Sequence, residues 1–327
     1  MRVIEVEQPG GPEMLTVIER PDPVPGAGEL LIRVAAAGVN RADLLQREGH
    51  YPPPPGVPSW PGLEVSGTVI GRGTGVDAAG WPDGLPVAAL LGGGGYAEQV
   101  TVPVGQVLPV PAGVDLVAAG GLPEAVATAW TNLIDSGRLV AGETMLVQGG
   151  SGGVGSIAVQ LATALGVRVL TTAGGPERAD RCRELGADVV IDHRTQDVVA
   201  AVHEATEGRG VDVVLDVLGG GGLASNVEVL ATGGRLVVIG TQRGATGTLD
   251  LMQLMAKRAY VTGSTLRWRT VEQKSRVIAD VAAHAWPLIA DGRVAPVVHT
   301  TLPLDQAAEA HRLMDSGAVF GKVLLTP

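Results

Sequence analysis

The stretch from residue 144 to residue 165 constrains this chain more than any other. Thr144-Met145-Leu146-Val147-Gln148 is a short apolar run of strand type, and it feeds straight into Gly149-Gly150-Ser151-Gly152-Gly153-Val154-Gly155. An apolar helical run, 156–165, follows at once. Gly150, Gly152 and Gly155 have the spacing of a dinucleotide-binding turn in its strand–turn–helix setting. One glycine permits the tight turn, a second lets the backbone approach a pyrophosphate, and a third lets helix and strand pack closely. The helix start then offers unpaired N–H groups and partial positive charge to phosphates.

The turn opens a series. Strand-like runs at 167–172, 189–192, 211–218, 235–240 and 259–266 alternate with helical runs at 176–185, 198–205, 223–231 and 249–257. Such alternation forces parallel strands joined by right-handed crossovers, a doubly wound α/β sheet of Rossmann type. The first hundred residues read differently, as short strands such as 30–35 and 65–70 between Gly- and Pro-rich turns. The run Pro52-Pro53-Pro54-Pro55 excludes helix and central strand there. After Arg269 come a helical stretch, 271–291, a strand near Val297, a helix, 304–314, and a closing strand, 322–325. These do not continue the alternation, so the chain is expected to return to its first domain. The expected division is 1–122 with 267–327 as a mostly β domain, and 123–266 as the inserted dinucleotide-binding domain.

Composition narrows the function. Hydrophobic residues at 45%, charged residues at 18% and only 3% aromatics, with 48 glycines, suit a buried parallel sheet of Val, Ala and Leu. A net charge of −10 argues against nucleic-acid binding, which needs a basic face. Cys182 is the one cysteine, which excludes an intrachain disulfide and a multi-cysteine zinc site. The start, Met1-Arg2-Val3-Ile4-Glu5-Val6, reads as a charged strand, and no apolar run spans a bilayer unbroken. A cytoplasmic protein without membrane partners is expected.

The cofactor can be narrowed too. NAD-specific turns place an acid at the end of the second strand. Here that strand runs Leu170-Thr171-Thr172-Ala173-Gly174-Gly175 with no acid, and Pro176-Glu177-Arg178 follows. Arg178 lies within reach of a ribose 2′-phosphate, and His193-Arg194 after the third strand converges on the same point. A solvated helix-face charge is the plain alternative for Arg178, and Glu177 beside it counts the other way. NADPH is the expected cofactor.

Residues 38–51, GVNRADLLQREGHY, together with Pro61-Gly62-Leu63-Glu64, Gly94-Gly95-Tyr96-Ala97-Glu98, Gly152-Gly153-Val154-Gly155, Val238-Ile239-Gly240 and Gly321-Lys322-Val323, carry a family resemblance. The chain resembles the medium-chain dehydrogenase/reductase superfamily along its whole length. Within it, the likeness is to the zinc-independent, zeta-crystallin-like quinone oxidoreductases and the branch of the tumour-suppressor-inducible enzyme. The resemblance implies a GroES-like β domain into which the Rossmann domain is inserted. It implies that Asn40 and Tyr51 lie beside nicotinamide and substrate. It carries Thr128, Gly174, Arg178, His193, Ile239, Gly240, Thr241, Ser264, Thr265, Leu266 and Lys322 over to the cofactor, with the loop Gly150, Ser151, Gly152, Gly153, Val154 and Gly155. Zinc-dependent relatives have Cys and His where this chain has Asn40 and Leu63, so no metal is expected.

The expected reaction is hydride transfer from NADPH to a quinone. A quinone is a strong hydride acceptor and needs positioning more than acid–base help. Asn40 would orient the acceptor carbonyl or the nicotinamide, and Tyr51 would border the pocket as a donor. Plain alternatives are a turn cap for Asn40, an N-cap at Asp43 for a helix over 44–47, and packing against the proline run for Tyr51. Tyr96 reads as core, His50 as surface and Cys182 as structural. The rival reaction is reduction of a 2-enoyl thioester or other activated alkene, with Tyr51 as proton donor. A non-catalytic dinucleotide-binding protein is the rival from another class. The run 259–266, poor in charge, is expected to pair across a two-fold as a homodimer.

Overall fold

The computed structural model describes residues 1–327. The first third holds β1 (Arg2–Val6), β2 (Leu15–Glu19), β3 (Glu29–Gly38), α1 (Arg41–Arg47), β4 (Glu64–Arg72), β5 (Pro86–Leu90), β6 (Gln99–Pro103), β7 (Val107–Pro109) and α2 (Pro123–Trp130). The middle alternates: β8 (Thr144–Val147), α3 (Gly153–Ala164), β9 (Arg168–Ala173), α4 (Pro176–Glu184), β10 (Val189–Asp192), α5 (Val198–Ala205), β11 (Val211–Asp216), α6 (Leu223–Glu228), β12 (Leu230–Val238), α7 (Leu251–Lys257) and β13 (Tyr260–Gly263). The last part holds α8 (Val271–Asp280), α9 (Trp286–Ala290), β14 (Val298–Pro303), α10 (Ala307–Asp315) and β15 (Lys322–Thr326).

These elements form two compact units, 1–127 with 266–291 and 296–327, and 128–265 with 292–295. The first unit is built on a seven-stranded sheet in the order β14-β15-β3-β4-β5-β7, with β6 also on β3. β3 carries that sheet because its ten residues bury one face almost without interruption, and it pairs antiparallel with β4, β6 and β15. β15 places Leu324 opposite Gly38, so the end of the chain is knitted into the amino-terminal sheet. Val3, Ile4, Ile32, Val65, Tyr96 and Val323 belong to one core beneath it.

The second unit is a six-stranded parallel sheet in the order β10-β9-β8-β11-β12-β13. All four residues of β8 are buried, as a central strand covered by helices on both faces requires. The order reverses between β8 and β11, so this is the doubly wound Rossmann arrangement, and the first unit is the GroES-like one. β13 is the contrast: all four of its residues are exposed, because it ends the sheet. No helix is long and apolar enough to cross a membrane.

Some sequence boundaries move. α6 stops at Glu228 and β12 starts at Leu230, five residues before the expected 235. The reason is that Leu230 pairs with Val211 before an irregularity in register, so the strand is already in the sheet there. β13 covers only 260–263 of the expected 259–266.

Candidate functional site

In the parallel unit, the expected cofactor residues gather at the carboxyl ends of the strands. Gly149, at φ 77°, makes the left-handed turn out of β8, so the turning glycine stands just ahead of the motif's first position. Gly150 lies where a Cβ would collide with Thr171 Oγ1 on β9. At Gly155 a Cβ would collide with the Gly149 carbonyl oxygen, which is why helix α3 can start so close to its own turn. Gly152 differs: the nearest atom to a Cβ there is the Gly149 oxygen at 3.4 Å, so its glycine leaves space rather than relieving a clash. Gly152 is also the N-cap of α3, and no side chain caps that twelve-residue helix. Its first-turn N–H groups, on Gly153, Val154 and Gly155, therefore have no intrahelical acceptor. The loop is braced from behind. Thr172 Oγ1 accepts from Gly149 N at 2.9 Å and donates to Gln148 Oε1 at 3.0 Å, and Gln148 Nε2 donates to Asn226.

At the ends of β9 and β10, Gly174, Gly175, Pro176, Glu177, Arg178 and Arg194 line a shallow pocket. A Cβ on Gly174 would sit 2.7 Å from Arg194 Nε and 3.2 Å from His193 Nε2, so the two basic residues close on that glycine. Asp192 is the nearest acid on β10. Its carboxylate accepts from the backbone N–H groups of Arg194 and Gly175, and these hold it below the usual carboxylate range. That acid is committed to the loop.

Ile239 donates its N–H to Asp216 O at 2.8 Å, which sets Ile239, Gly240 and Thr241 beyond the end of β12. Ser264, just past β13, donates through Oγ to Asn132 Oδ1 at 2.6 Å, and Asn132 Nδ2 donates to Thr128 O at 2.8 Å. Buried Asn132, which sequence reasoning passed over, thus ties two expected cofactor residues together.

The β unit holds a different kind of cluster. Asn40 is the N-cap of α1, and its N–H donates to Asp43 Oδ2 at 2.8 Å. Asp43 is therefore the third helical residue reaching back, which corrects the expected N-cap at 43: the helix begins at Arg41 because Asn40 has the extended backbone of a cap. The Asn40 side chain faces elsewhere. Its Nδ2 donates to Glu64 Oε1 at 2.9 Å and Gly38 O at 3.2 Å, and its Oδ1 accepts from Lys322 Nζ at 2.7 Å. Lys322 Nζ also donates to Glu64 Oε1 at 2.5 Å, and Glu64 Oε2 accepts the N–H of Glu124 at 2.9 Å. Glu64 and Lys322 are both buried. Lys322, expected at the cofactor, is thus anchored to Asn40.

Electrostatics follow from burial. Glu124 is pushed up to about 8, by desolvation first and then by the Glu64 carboxylate. Asp43 is raised to about 6 by desolvation, against the N–H groups of Gly62 and Asn40 that favour its charge. Burial lowers both Arg267 and Lys274.

Tyr51 follows α1, with its N–H on Leu45 O at 3.2 Å. Its ring packs against Arg267 and Trp268. Tyr96 is fully buried, its hydroxyl 3.1 Å from His311 Nε2, and Cys182 is buried, both in keeping with structural roles. The His50 side chain is 74% exposed. Glu64, Glu124 and Arg267 were not found as site residues from sequence. The signal for Glu64 was present in Pro61-Gly62-Leu63-Glu64, but nothing local distinguishes the other two. No group of three or more His, Cys, Asp or Glu side chains is arranged to hold a metal ion.

Comparison with known proteins agrees with this architecture. Residues 26–112 match the alcohol dehydrogenase GroES-like domain, and residues 153–281 match the zinc-binding dehydrogenase family. The rat quinone oxidoreductase is 32% identical over 329 residues, covering 99% of this chain and 97% of the rat protein. A segment of a phenolphthiocerol/phthiocerol polyketide synthase from Mycobacterium tuberculosis is 34% identical over 324 residues, 99% of this chain but 15% of that protein. Among solved structures, a mycobacterial protein complexed with NADPH superposes with a TM-score of 0.90 at 34% identity, covering 100% of both chains. An NAD-dependent alcohol dehydrogenase superposes at 0.89 with 31% identity, again over 100% of both chains. Escherichia coli quinone oxidoreductase complexed with NADPH gives 0.88 at 29%, with 100% of both covered. The chain is an oxidoreductase of the medium-chain dehydrogenase/reductase family, with zeta-crystallin-like quinone oxidoreductases among its relatives.

Proposed function

We propose that this chain is an NADPH-dependent quinone oxidoreductase of the cytoplasm that needs no metal. The observation that carries the reading is the basic pocket beyond β9, where Gly174 lets Arg194 close in and Arg178 and Arg194 supply charge for a 2′-phosphate. The glycine turn fits the rest of the cofactor. Gly152 leaves open space, and the uncapped start of α3 presents N–H groups to a pyrophosphate. The relatives solved with NADPH support the same choice.

NADPH bound there supplies a hydride from its nicotinamide ring. The chain's own residues hold the acceptor. Asn40 spends both amide hydrogens on Glu64 and Gly38, so it presents the second lone pair of Oδ1, whose direction the Lys322–Glu64 pair fixes. Tyr51 offers a hydroxyl on a ring held by Arg267. Such a site suits an acceptor reactive enough to need orientation alone. Asn40 and Leu63, at the places where zinc-dependent relatives carry ligands, support a metal-free reaction.

The polyketide synthase relative favours a second reading, reduction of an activated alkene such as a 2-enoyl thioester. The test is NADPH oxidation with 1,2-naphthoquinone beside crotonyl thioester. Faster turnover of the quinone is expected; faster turnover of the thioester overturns the first reading in favour of the second. Tight NADPH binding with oxidation by neither would mark a non-catalytic binding protein.

A homodimer through the β13 edge belongs to the same proposal. Tyr260 and Val261 on that edge are 57% and 39% exposed, and Met252 and Met255 on the neighbouring α7 are 71% and 61% exposed. An open apolar edge of this kind favours pairing with a second copy. Light scattering should return twice the chain's mass.

A further inference from the structure

Aromatic side chains make up 3% of this chain, so a place where two meet is unusual within it. Tyr51 and Trp268 meet with ring centroids 6.4 Å apart and planes at 80°. Trp268 is 47% exposed, a large apolar surface left to water. Behind the pair lies Arg267, which is buried. Its three donor nitrogens are each committed: Nε to Gly92 O at 2.8 Å, Nη1 to Tyr51 O at 2.9 Å and Nη2 to Gln46 Oε1 at 2.5 Å. A guanidinium fixed at three points cannot follow the ring, so the ring must settle on it. The guanidinium carbon lies 5.3 Å from the Tyr51 centroid, within cation–π range.

Two rings at nearly a right angle, one pinned from behind, form a corner. A flat ligand stacks on one wall and meets the other edge-on, the two arrangements aromatic pairs favour. A ligand of a single ring covers one wall only. We propose that Trp268 is a specificity-determining residue that selects acceptors with fused aromatic rings, and that Arg267 is the positioning residue that sets the Tyr51 wall. The inference rests on the proposed reduction of a small acceptor beside Tyr51, and it names the class of that acceptor.

The test compares kcat/KM for 1,2-naphthoquinone and p-benzoquinone in the wild type, Trp268→Ala, Trp268→Phe and Arg267→Lys. Trp268 lies on the surface, so its variants should fold. In Trp268→Ala the naphthoquinone value should fall roughly tenfold, chiefly through KM, and the benzoquinone value about threefold or less. Phe should restore part of the difference. Arg267→Lys keeps the charge but loses the fork, and it should narrow the ratio while Trp268 is intact. A second readout needs no turnover: 2-naphthol should quench tryptophan fluorescence, and most of that quench should vanish in Trp268→Phe. Equal losses for both quinones in Trp268→Ala, or an unchanged quench in Trp268→Phe, overturns the inference. If the wild type reduces thioesters and not quinones, the functional reading fails by itself. The corner is then judged by the same ratio between cinnamoyl and crotonyl thioesters.

Discussion

The two units build their sites from opposite materials. Around the glycine turn, the proposed cofactor site rests on side chains that are missing. Gly150 makes way for the Thr171 side chain, Gly155 lets backbone approach backbone, Gly152 leaves a space, and the uncapped start of α3 supplies the polarity. Around Asn40, the proposed acceptor site rests on polar side chains that hold one another in place: Glu64 with Lys322, and Asp43 with the N–H groups of Asn40 and Gly62. A backbone site is rigid because nothing in it can rotate. A charge network is rigid only while every member is present. The first should fail by obstruction and the second by imbalance.

The largest expected effect tests the network. Lys322→Met leaves Glu64 buried without its cation, and the loss should be about 3–5 kcal/mol of stability by denaturant unfolding. Glu64→Gln added to it should restore much of that loss, because the stranded charge is gone. A double variant as weak as the single one would show that the network is not held by charge balance.

Gly155→Val tests obstruction. A branched side chain there meets the Gly149 carbonyl, and relief requires α3 to move. About 3 kcal/mol of stability should be lost, and NADPH binding should disappear by calorimetry. Gly152→Ala is the sharper companion: little stability should be lost, while binding weakens, because the space there is for the ligand.

Protonation gives the third test. Glu124 titrates at about 8 in the folded chain against a reference value of 4.5. Between those values the unfolded chain has released the proton and the folded chain keeps it. Stability therefore falls as pH rises from about 4.5 to about 8, then levels off. Glu124→Gln should remove this slope, so that between about pH 6.5 and about pH 9 the wild type loses on the order of 2 kcal/mol relative to the variant. Parallel curves would show that Glu124 is ionised throughout.

The smallest effect lies at the pocket beyond β9. Arg178→Ala should weaken NADPH roughly tenfold, about 1.4 kcal/mol, and leave NADH nearly unchanged. If the ratio of the two affinities does not move, Arg178 is a surface charge and Arg194 holds the phosphate alone.

The same contrast explains what could be read in advance. The Rossmann series was legible because each βα unit writes its signal within a few residues: a buried strand, a glycine turn, an apolar helix. Gly174, Arg178 and His193 were found as a group because consecutive strand ends lie side by side in a parallel sheet. The charge network was only half legible. Asn40 and Lys322 were named, yet the carboxylate joining them was not, since Glu64 lies 258 positions from Lys322 and only the β3–β15 pairing brings them together. Arg267 was missed for the same reason, as its three acceptors come from around 46, 51 and 92. The cap was misplaced by three positions because Asp and Asn both cap helices, and the sequence alone does not say which of two candidates three residues apart takes the cap.

The pairing of β15 with β3 bears on how the molecule comes into being. Synthesis runs from the amino end, so β3 and Glu64 leave the ribosome long before the strand that completes their sheet. The parallel unit is nearly whole once residue 265 has been made, with only 292–295 to add, and four of its five strand pairings join strands consecutive in the chain. The β unit has to close a loop spanning almost the entire sequence, a step whose entropic cost slows folding. Until then Glu64 waits in a half-built sheet without its lysine. The nucleotide-binding unit is therefore expected to mature first, and the β unit to be completed only when β15 has been made.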